Sequence, residues 1–307
     1  MKAEDGVYAA IDFGSNSINL VIYRMDRAGM KLLGKQKSMP GILSFIQNEK
    51  LNDEGILTAT RIISDMQKMA LTMDARVFCF ATASLRGIKN QRAVAEAIHD
   101  ETGLIIDIIS GEREAYYDYL AVEKLMNVKN ALVTDIGGGS IELIWIRGGG
   151  LRESVSLPTG SLKLCRDYVR GVRPERSEMV RIETAVNGYL DGVSWLDETG
   201  CDAICTVGGT ARAIAKLHKE IFPFHKSEGD YIYPVQDMNE LFDVLADKDQ
   251  HYELIMKLFP DRLHTITPGF LALRAIVSRA GAKRIVLSRY GVREGYLIEK
   301  VWMQGAQ

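Results

Sequence analysis

Two stretches of the chain repeat one pattern: an apolar run, an aspartate, a tight turn rich in glycine and serine, and a second apolar run. The first passes from Val7–Ile11 through Asp12-Phe13-Gly14-Ser15-Asn16-Ser17-Ile18-Asn19 into Leu20–Tyr23. The second passes from Ala131-Leu132-Val133 through Asp135-Ile136-Gly137-Gly138-Gly139-Ser140-Ile141-Glu142 into Leu143–Ile146. Apolar runs on both sides of a tight turn predict strand, turn, strand. Asp12 to Leu20 and Asp135 to Leu143 share Asp, Gly, Ser, Ile and Leu at corresponding places. A register kept that long predicts a duplicated domain, with the two turns facing each other across a cleft. Two unrelated glycine hairpins are the plainer alternative, since such turns are common connectors.

Between and after these units, helical and strand patterns alternate. A hairpin at Ala28-Gly29 continues the first unit. Ile56, Leu57, Ile62, Ile63, Met66, Met69 and Ala70 recur at helical spacing behind Asn52 or Asp53 as cap, predicting a helix with one buried face over 53–73. Arg76–Ala81 and Leu104–Ile109 read as buried strands, and Ser110-Gly111-Glu112-Arg113-Glu114 reads as a helix start with acids in its first turn. Thr159-Gly160-Ser161 opens another helix, and a further one follows Pro174-Glu175-Arg176. Asp202–Val207 is a buried strand that enters a helix through Gly208-Gly209-Thr210. Ser227–Gln250 is polar and less regular. Pro268-Gly269 starts a helix, Arg284–Ser288 forms the last strand, and a terminal helix follows. A boundary near residue 125 gives domains of 1–124 and 125–307, with the terminal helix from about residue 293 as a segment able to pack back on the first.

Composition narrows the class. With 307 residues, 47% hydrophobic and 25% charged, the chain holds enough apolar material for two ordinary cores, and neither a disordered nor a fibrous composition. A formal net charge of −2 lacks the basic footprint of a nucleic-acid binder. No apolar run reaches the length of a bilayer span, and Met1 to Gly6 leads directly into a strand, so a soluble, unprocessed chain without a membrane partner is expected. Cys79, Cys165, Cys201 and Cys205 have no zinc-like spacing, and reduced thiols suit a cytoplasmic location.

The chemistry suggested by the residues is that of phosphate. Glycine turns bare of Cβ let backbone N–H groups converge on an anion. The acids Asp135 and Glu142 at the ends of the second turn would repel a phosphate unless a divalent cation lies between them or one of them orients a water. Arg86 follows a strand ending in Thr82-Ala83-Ser84, at the carboxyl edge where open α/β sheets take ligands, although a surface ion pair is an equal reading. Gly208-Gly209-Thr210 at a helix N-terminus fits a phosphate or a nucleotide. Lys163 in the first turn of its helix is a further anion candidate.

Taken in order, the two Asp-Gly-Ser turns, Ala81–Arg86, Ser110-Gly111-Glu112-Arg113-Glu114-Ala115, Gly208-Gly209-Thr210 and Ser288–Gly295 resemble the exopolyphosphatase/guanosine pentaphosphate phosphatase family over nearly the whole chain. The resemblance implies an α/β fold of two ribonuclease-H-like domains, of the acetate and sugar kinase/heat-shock/actin superfamily, around an interdomain cleft. It looks like the short form, without the appended helical domain of longer members. It implies Glu114 as the catalytic base toward water, Asp135 and Glu142 as ligands of Mg2+ or another divalent cation, and phosphate contacts from Gly14, Ser15, Asn16, Ser17, Arg86 and Gly137 to Ser140. The implied activity is release of terminal orthophosphate from inorganic polyphosphate or guanosine pentaphosphate, in a homodimer. Three departures stand out. Arg113 occupies a position where the family often carries an acid, adding a cation that lowers the basicity of Glu114. An arginine common after the first hairpin is missing from Ser38–Leu43, and Asn19 stands at the duplicate of Glu142. The other readings are an ATP-dependent kinase or ATPase of the same superfamily, and a non-catalytic polyphosphate or alarmone sensor.

Overall fold

A computed structural model describes residues 5–225 and 230–303. The chain opens with three antiparallel strands, β1 (Gly6–Phe13), β2 (Ile18–Asp26) and β3 (Gly29–Ser38), followed by a two-residue ribbon β4 (Ile46–Gln47) and β5 (Lys50–Leu51). Helix α1 (Asp53–Leu71) is capped by the Asn52 side chain, which accepts from the Gly55 amide at 2.8 Å, with Asp53 and Glu54 favouring its positive end. Next come β6 (Arg76–Ala81), the single turn α2 (Ala83–Arg86), α3 (Gln91–Thr102), β7 (Ile106–Ile108) and α4 (Gly111–Met126). The sheet order is β3-β2-β1-β6-β7, with β6 and β7 parallel to β1.

The pattern then repeats. Antiparallel β8 (Ala131–Ile136), β9 (Ile141–Arg147) and β10 (Gly150–Leu157) lead to α5 (Ser161–Tyr168), α6 (Arg176–Leu190), β11 (Ala203–Val207) and α7 (Gly208–Ile221). After β12 (Tyr231–Pro234) come α8 (Met238–Ala246), α9 (Lys248–Leu258), α10 (Ile266–Ala280) and β13 (Arg284–Leu287). The second sheet runs β10-β9-β8-β11-β13-β12, the first five strands copying the earlier order and β12 adding an antiparallel edge. The last described elements are α11 (Val292–Leu297) and a π-helical turn over Ile298–Met303.

These elements form two compact units, residues 5–117 with 292–303, and residues 118–291. The units divide between Tyr117 and Asp118, within the span of α4. In the first unit Ala9, Ile11 and Phe13 of β1 meet Ile18, Leu20 and Ile22 of β2 and the Ala59, Ile63, Met66 and Ala70 face of α1. In the second, Leu132 and Ile136 of β8 and Ile141, Leu143 and Trp145 of β9 meet α6 and α10 through Met179, Ile182, Val186, Phe270 and Leu273. Strand alternation therefore turns Asp12, Asp135 and Glu142 to the faces away from those helices.

Several expectations change in detail. Leu57 and Met69 lie on the exposed side of α1, their places on the packed face taken by Ala59 and by Gly55, where a Cβ would come within 2.6 Å of Phe45 and Leu51. The predicted strand over 104–109 is ordered as a ladder only at 106–108, and Ile105 is 77% exposed because β7 is the sheet edge. The stretch after Ser227 is not irregular: from Asp230 onward it holds β12, α8 and the start of α9, while residues 226–229 lie outside those described, as do residues 1–4 of the expected N-terminal lead. All four cysteines are free. No described helix is long and apolar enough to cross a membrane.

Candidate active site

The two glycine turns close in the same way. The Gly14 amide donates to the Ser17 carbonyl at 3.0 Å, and the Gly137 amide donates to the Ser140 carbonyl at 3.0 Å. None of Gly14 and Gly137 to Gly139 needs a positive φ. What excludes a side chain is proximity, since a Cβ would lie 3.0 Å from the Ser17 oxygen at Gly14 and 3.1 Å from the Ser140 oxygen at Gly137. Each unit also ties the end of its first strand to a hydroxyl beyond its fourth: Ser84 Oγ donates to the Phe13 carbonyl, and Thr210 Oγ1 donates to the Ile136 carbonyl at 2.7 Å. Thr210, expected as a phosphate contact, thus spends its hydroxyl on the strand.

In the second unit Asp135 and Glu142 are direct register partners, and Ser156 is the partner of Glu142 on the next strand. Directly opposed residues point to one face, so the two carboxylates stand side by side. Glu142 is fully buried and its Oε1 accepts from Ser156 Oγ at 2.8 Å. Asp135 lies against the start of α7: a Cβ on Gly208, whose φ is +81°, would meet Asp135 Oδ1 at 2.1 Å. A negative charge there faces the positive end of the α7 dipole. The carbonyls of Gly137 and Gly138 accept the amides of Ser161, Leu162 and Lys163 at 2.9–3.1 Å, so the N-terminus of α5 holds the turn itself. Gly160 is bare because a Cβ would fall 2.7 Å from those same peptides. Lys163 Nζ donates to the Pro158 carbonyl at 2.5 Å instead of reaching into the turn.

One residue of this cluster escaped the sequence reading. Arg262 places Nη2 2.5 Å from where a Gly209 Cβ would be, over the start of α7. Burial lowers its pKa, and the carboxylates of Asp261 and Asp135 pull it back up. An arginine preceding a helix in Pro260-Asp261-Arg262 carries no periodic signal. The pair of glycines at 208 and 209 was the only hint that a bulky neighbour approaches.

In the first unit Ser15 is buried, Asn16 and Ser17 are half-buried, and Asn19, the counterpart of Glu142, is the register partner of Asp12. Asn19 Nδ2 donates to Ser17 Oγ at 3.0 Å, so an amide braces the turn where the second unit has an acid. The Arg86 guanidinium donates to Glu114 Oε2 at 2.7 Å and to the Ile109 carbonyl at 3.0 Å. The two candidates are therefore partners, with side chains 23% and 10% exposed. The Ser110 carbonyl and hydroxyl receive the amides of Glu114 and Arg113 at 2.9 and 3.2 Å, fixing the first turn of α4. Arg113 turns away from Glu114, to Tyr117 and Glu299.

The chemistry of the donor set can be compared with a divalent ion. Among the described residues no group of three or more His, Cys, Asp and Glu is arranged around a metal position. Mg2+ takes one or two carboxylates, completing its shell with water and substrate phosphate, so the Asp135–Glu142 pair fits that ion better than a metal needing an all-protein cage.

Known proteins share this architecture. A crystal structure of the Aquifex aeolicus Ppx/GppA family member matches with a TM-score of 0.81 at 22% identity, covering 98% of this chain and 99% of that one. An exopolyphosphatase structure from Cytophaga hutchinsonii matches with a TM-score of 0.88 at 18% identity, covering 97% and 98%. The fold is thus the actin-like ATPase fold. By sequence, exopolyphosphatase 1 of Mycobacterium tuberculosis is 22% identical over 95% of this chain and 87% of its own length. The bifunctional 3-dehydroquinate synthase/phosphatase of Fusobacterium nucleatum is 24% identical over 95% of this chain, which spans only 46% of that protein. The guanosine-5'-triphosphate,3'-diphosphate pyrophosphatase of Pseudoalteromonas atlantica is 35% identical over 94% of this chain, which spans 59% of it. The Ppx/GppA phosphatase family model matches residues 21–303, and on that span, with these folds and turns, the chain belongs to the Ppx/GppA phosphatase family.

Proposed function

We propose that this chain releases terminal orthophosphate from a phosphoanhydride, inorganic polyphosphate or guanosine pentaphosphate, with Glu114 directing the attacking water. The observation supporting this reading is Glu114 itself: a carboxylate 8% exposed at the first turn of a helix, paired with the Arg86 guanidinium. Phosphoryl transfer proceeds through a loose transition state, so the protein's work is to orient water, keep the leaving oxygen in line and neutralise charge. Arg86 can serve both ends of that task. In the free protein it fixes the carboxylate. An incoming phosphate competes for the guanidinium, and a carboxylate released from its cation is a better acceptor for a proton from water.

In this reading the turn amides beyond the closing ones bind phosphate oxygens, in the first unit those of Ser15 to Ser17 and in the second those of Gly138 to Ser140 and the start of α7 at Gly208 and Gly209, where Arg262 is an added cation. Asp135 and Glu142 would hold a Mg2+ ion, which when bound supplies charge neutralisation on the phosphate oxygens. A homodimer belongs to the same reading, and sedimentation tests it. The functional test is orthophosphate release from both substrates, resolved by chain length. Glu114→Gln keeps the shape and the contact to Arg86 while removing the base, and is expected to lower kcat by about 10²-fold or more. Turnover preserved in that variant refutes the assignment.

A further inference from the structure

Arg113 is the residue that most sets this chain apart around Glu114, and its surroundings give it a task. Neighbouring residues on a helix project about 100° apart, so the side chains of Arg113 and Glu114 leave the first turn of α4 in different directions. Glu114 meets Arg86. Arg113 lies over the rings of Tyr116 and Tyr117, its Cζ 5.1 and 4.8 Å from their centroids, and donates through Nη2 to Tyr117 Oη at 2.8 Å and to Glu299 Oε2. Tyr117 Oη donates to the same Glu299 oxygen at 2.9 Å. One carboxylate oxygen, on a side chain 12% exposed, thus collects two donors that sit one turn apart on α4.

Glu299 is a fixed post. It belongs to the π-helical turn, and that turn and α11 before it are fastened to the sheet of the first unit as well as packed on α4. Tyr23 Oη donates to Glu294 at 2.9 Å, Tyr296 Oη donates to Asp107, and Lys300 Nζ lies 2.8 Å from the same Asp107 oxygen. Tyr296 also stacks on Phe80 at 4.6 Å between centroids. With that segment anchored, a charge-assisted bond from Arg113 pins the rotation of the first turn about its axis, which is the setting that decides whether the next side chain meets Arg86.

We infer that Glu299 is a positioning residue: through Arg113 and Tyr117 it sets the first turn of α4 and so aims the Glu114 carboxylate. This rests on the reading of Glu114 as the base. It gives Arg113 a role other than lowering the basicity of Glu114, because its charge is spent on Glu299.

The test uses the full chain with inorganic polyphosphate and Mg2+. Glu299→Gln preserves size and is expected to lower kcat on the order of tenfold, as small misplacements of a reacting group do, with KM held within about twofold. Amide hydrogen exchange at residues 111–116 should quicken in the same variant while β8 and β11 keep their protection. Arg113→Lys, which retains the charge, should recover more turnover than Arg113→Met. Unchanged exchange at 111–116, or quicker exchange with kcat unaltered, overturns the inference. The failure of the hydrolase reading is separately visible as turnover retained in Glu114→Gln, since the exchange measurement does not depend on activity.

Discussion

Gly208 offers the sharpest test of how the second half of the site is built. Its φ of +81° is a conformation that costs an L residue about 1–2 kcal/mol, so alanine is strained there before any contact is considered. The added methyl would then lie 2.1 Å from Asp135 Oδ1, 2.8 Å from Cγ and 2.9 Å from Oδ2. Ordinary contact needs more than 3.4 Å, so the carboxylate must move by roughly an ångström or the start of α7 must shift, an overpacking of about 1–3 kcal/mol. Together the two effects predict a loss of about 2–5 kcal/mol for Gly208→Ala. Gly209→Ala is the control. Its φ is not in the strained region, and the atom it meets, at 2.5 Å, is Nη2 of Arg262, the far end of a flexible side chain that can swing aside. A cost under about 1 kcal/mol is expected there. Urea unfolding of both variants reads the difference, and a Mg2+ titration of orthophosphate release reads the displaced Asp135 as a requirement for more metal. If Gly208→Ala unfolds at the same urea concentration as Gly209→Ala, the close packing of Asp135 on α7 is not what makes that position glycine.

Other expectations follow from single contacts. Gly295→Ala would place a methyl 1.8 Å from the Tyr117 carbonyl oxygen and 2.5 Å from its carbon, forcing α11 off α4, and thermal unfolding should show a loss of about 3 kcal/mol or more. His218 is fully buried: its Nε2 lies 2.9 Å from Asp237 Oδ2, an acceptor, which fixes the proton on Nε2 and leaves Nδ1 to accept from Tyr231 Oη at 2.7 Å. Tyr231→Phe orphans that nitrogen and should cost about 1–3 kcal/mol in urea unfolding. Burial, followed by the guanidinium of Arg173, pushes the pKa of His251 down from 6.5 to about 4. The unfolded chain then binds a proton that the folded one refuses, so this histidine's contribution makes stability fall as pH drops from about 6.5 toward 4 and leaves it level above. Unfolding midpoints across that range should show a shallower slope in His251→Gln, and an unchanged slope would sink the assignment.

What could be read from the sequence was whatever repeats or stays local. The shared register of Asp12–Leu20 and Asp135–Leu143 reappears as two identical turn closures and two copies of one strand order, because a strand's period ties each residue to a face without reference to the rest of the chain. For the same reason Asp135 and Glu142 could be placed together: residues flanking a tight turn are opposed by geometry alone. The short edge elements were lost where local pattern and burial part company. Ile105 belongs to an apolar run yet lies at a sheet edge, and β12 has four residues ending in a proline.

The site's cations were the least legible part, and the reason is physical. Long arginine side chains reach partners far away in sequence, so spacing says nothing about which acid each one meets. Arg86 could be placed at a strand's carboxyl edge, but its pairing with Glu114, 28 residues on, comes from the parallel crossover that sets α2 beside α4. Arg113 reads in sequence as a cation next to the base and in three dimensions as a tie to Glu299, 186 residues away. Arg262 leaves no trace but the absence of a side chain at Gly209. At Gly14, Gly137, Gly160 and Gly209 the bare position is in this sense the more informative one, because it marks where another residue's atoms already stand: the Ser17 carbonyl, the Ser140 carbonyl, the Gly137 and Gly138 peptides, and Arg262 Nη2.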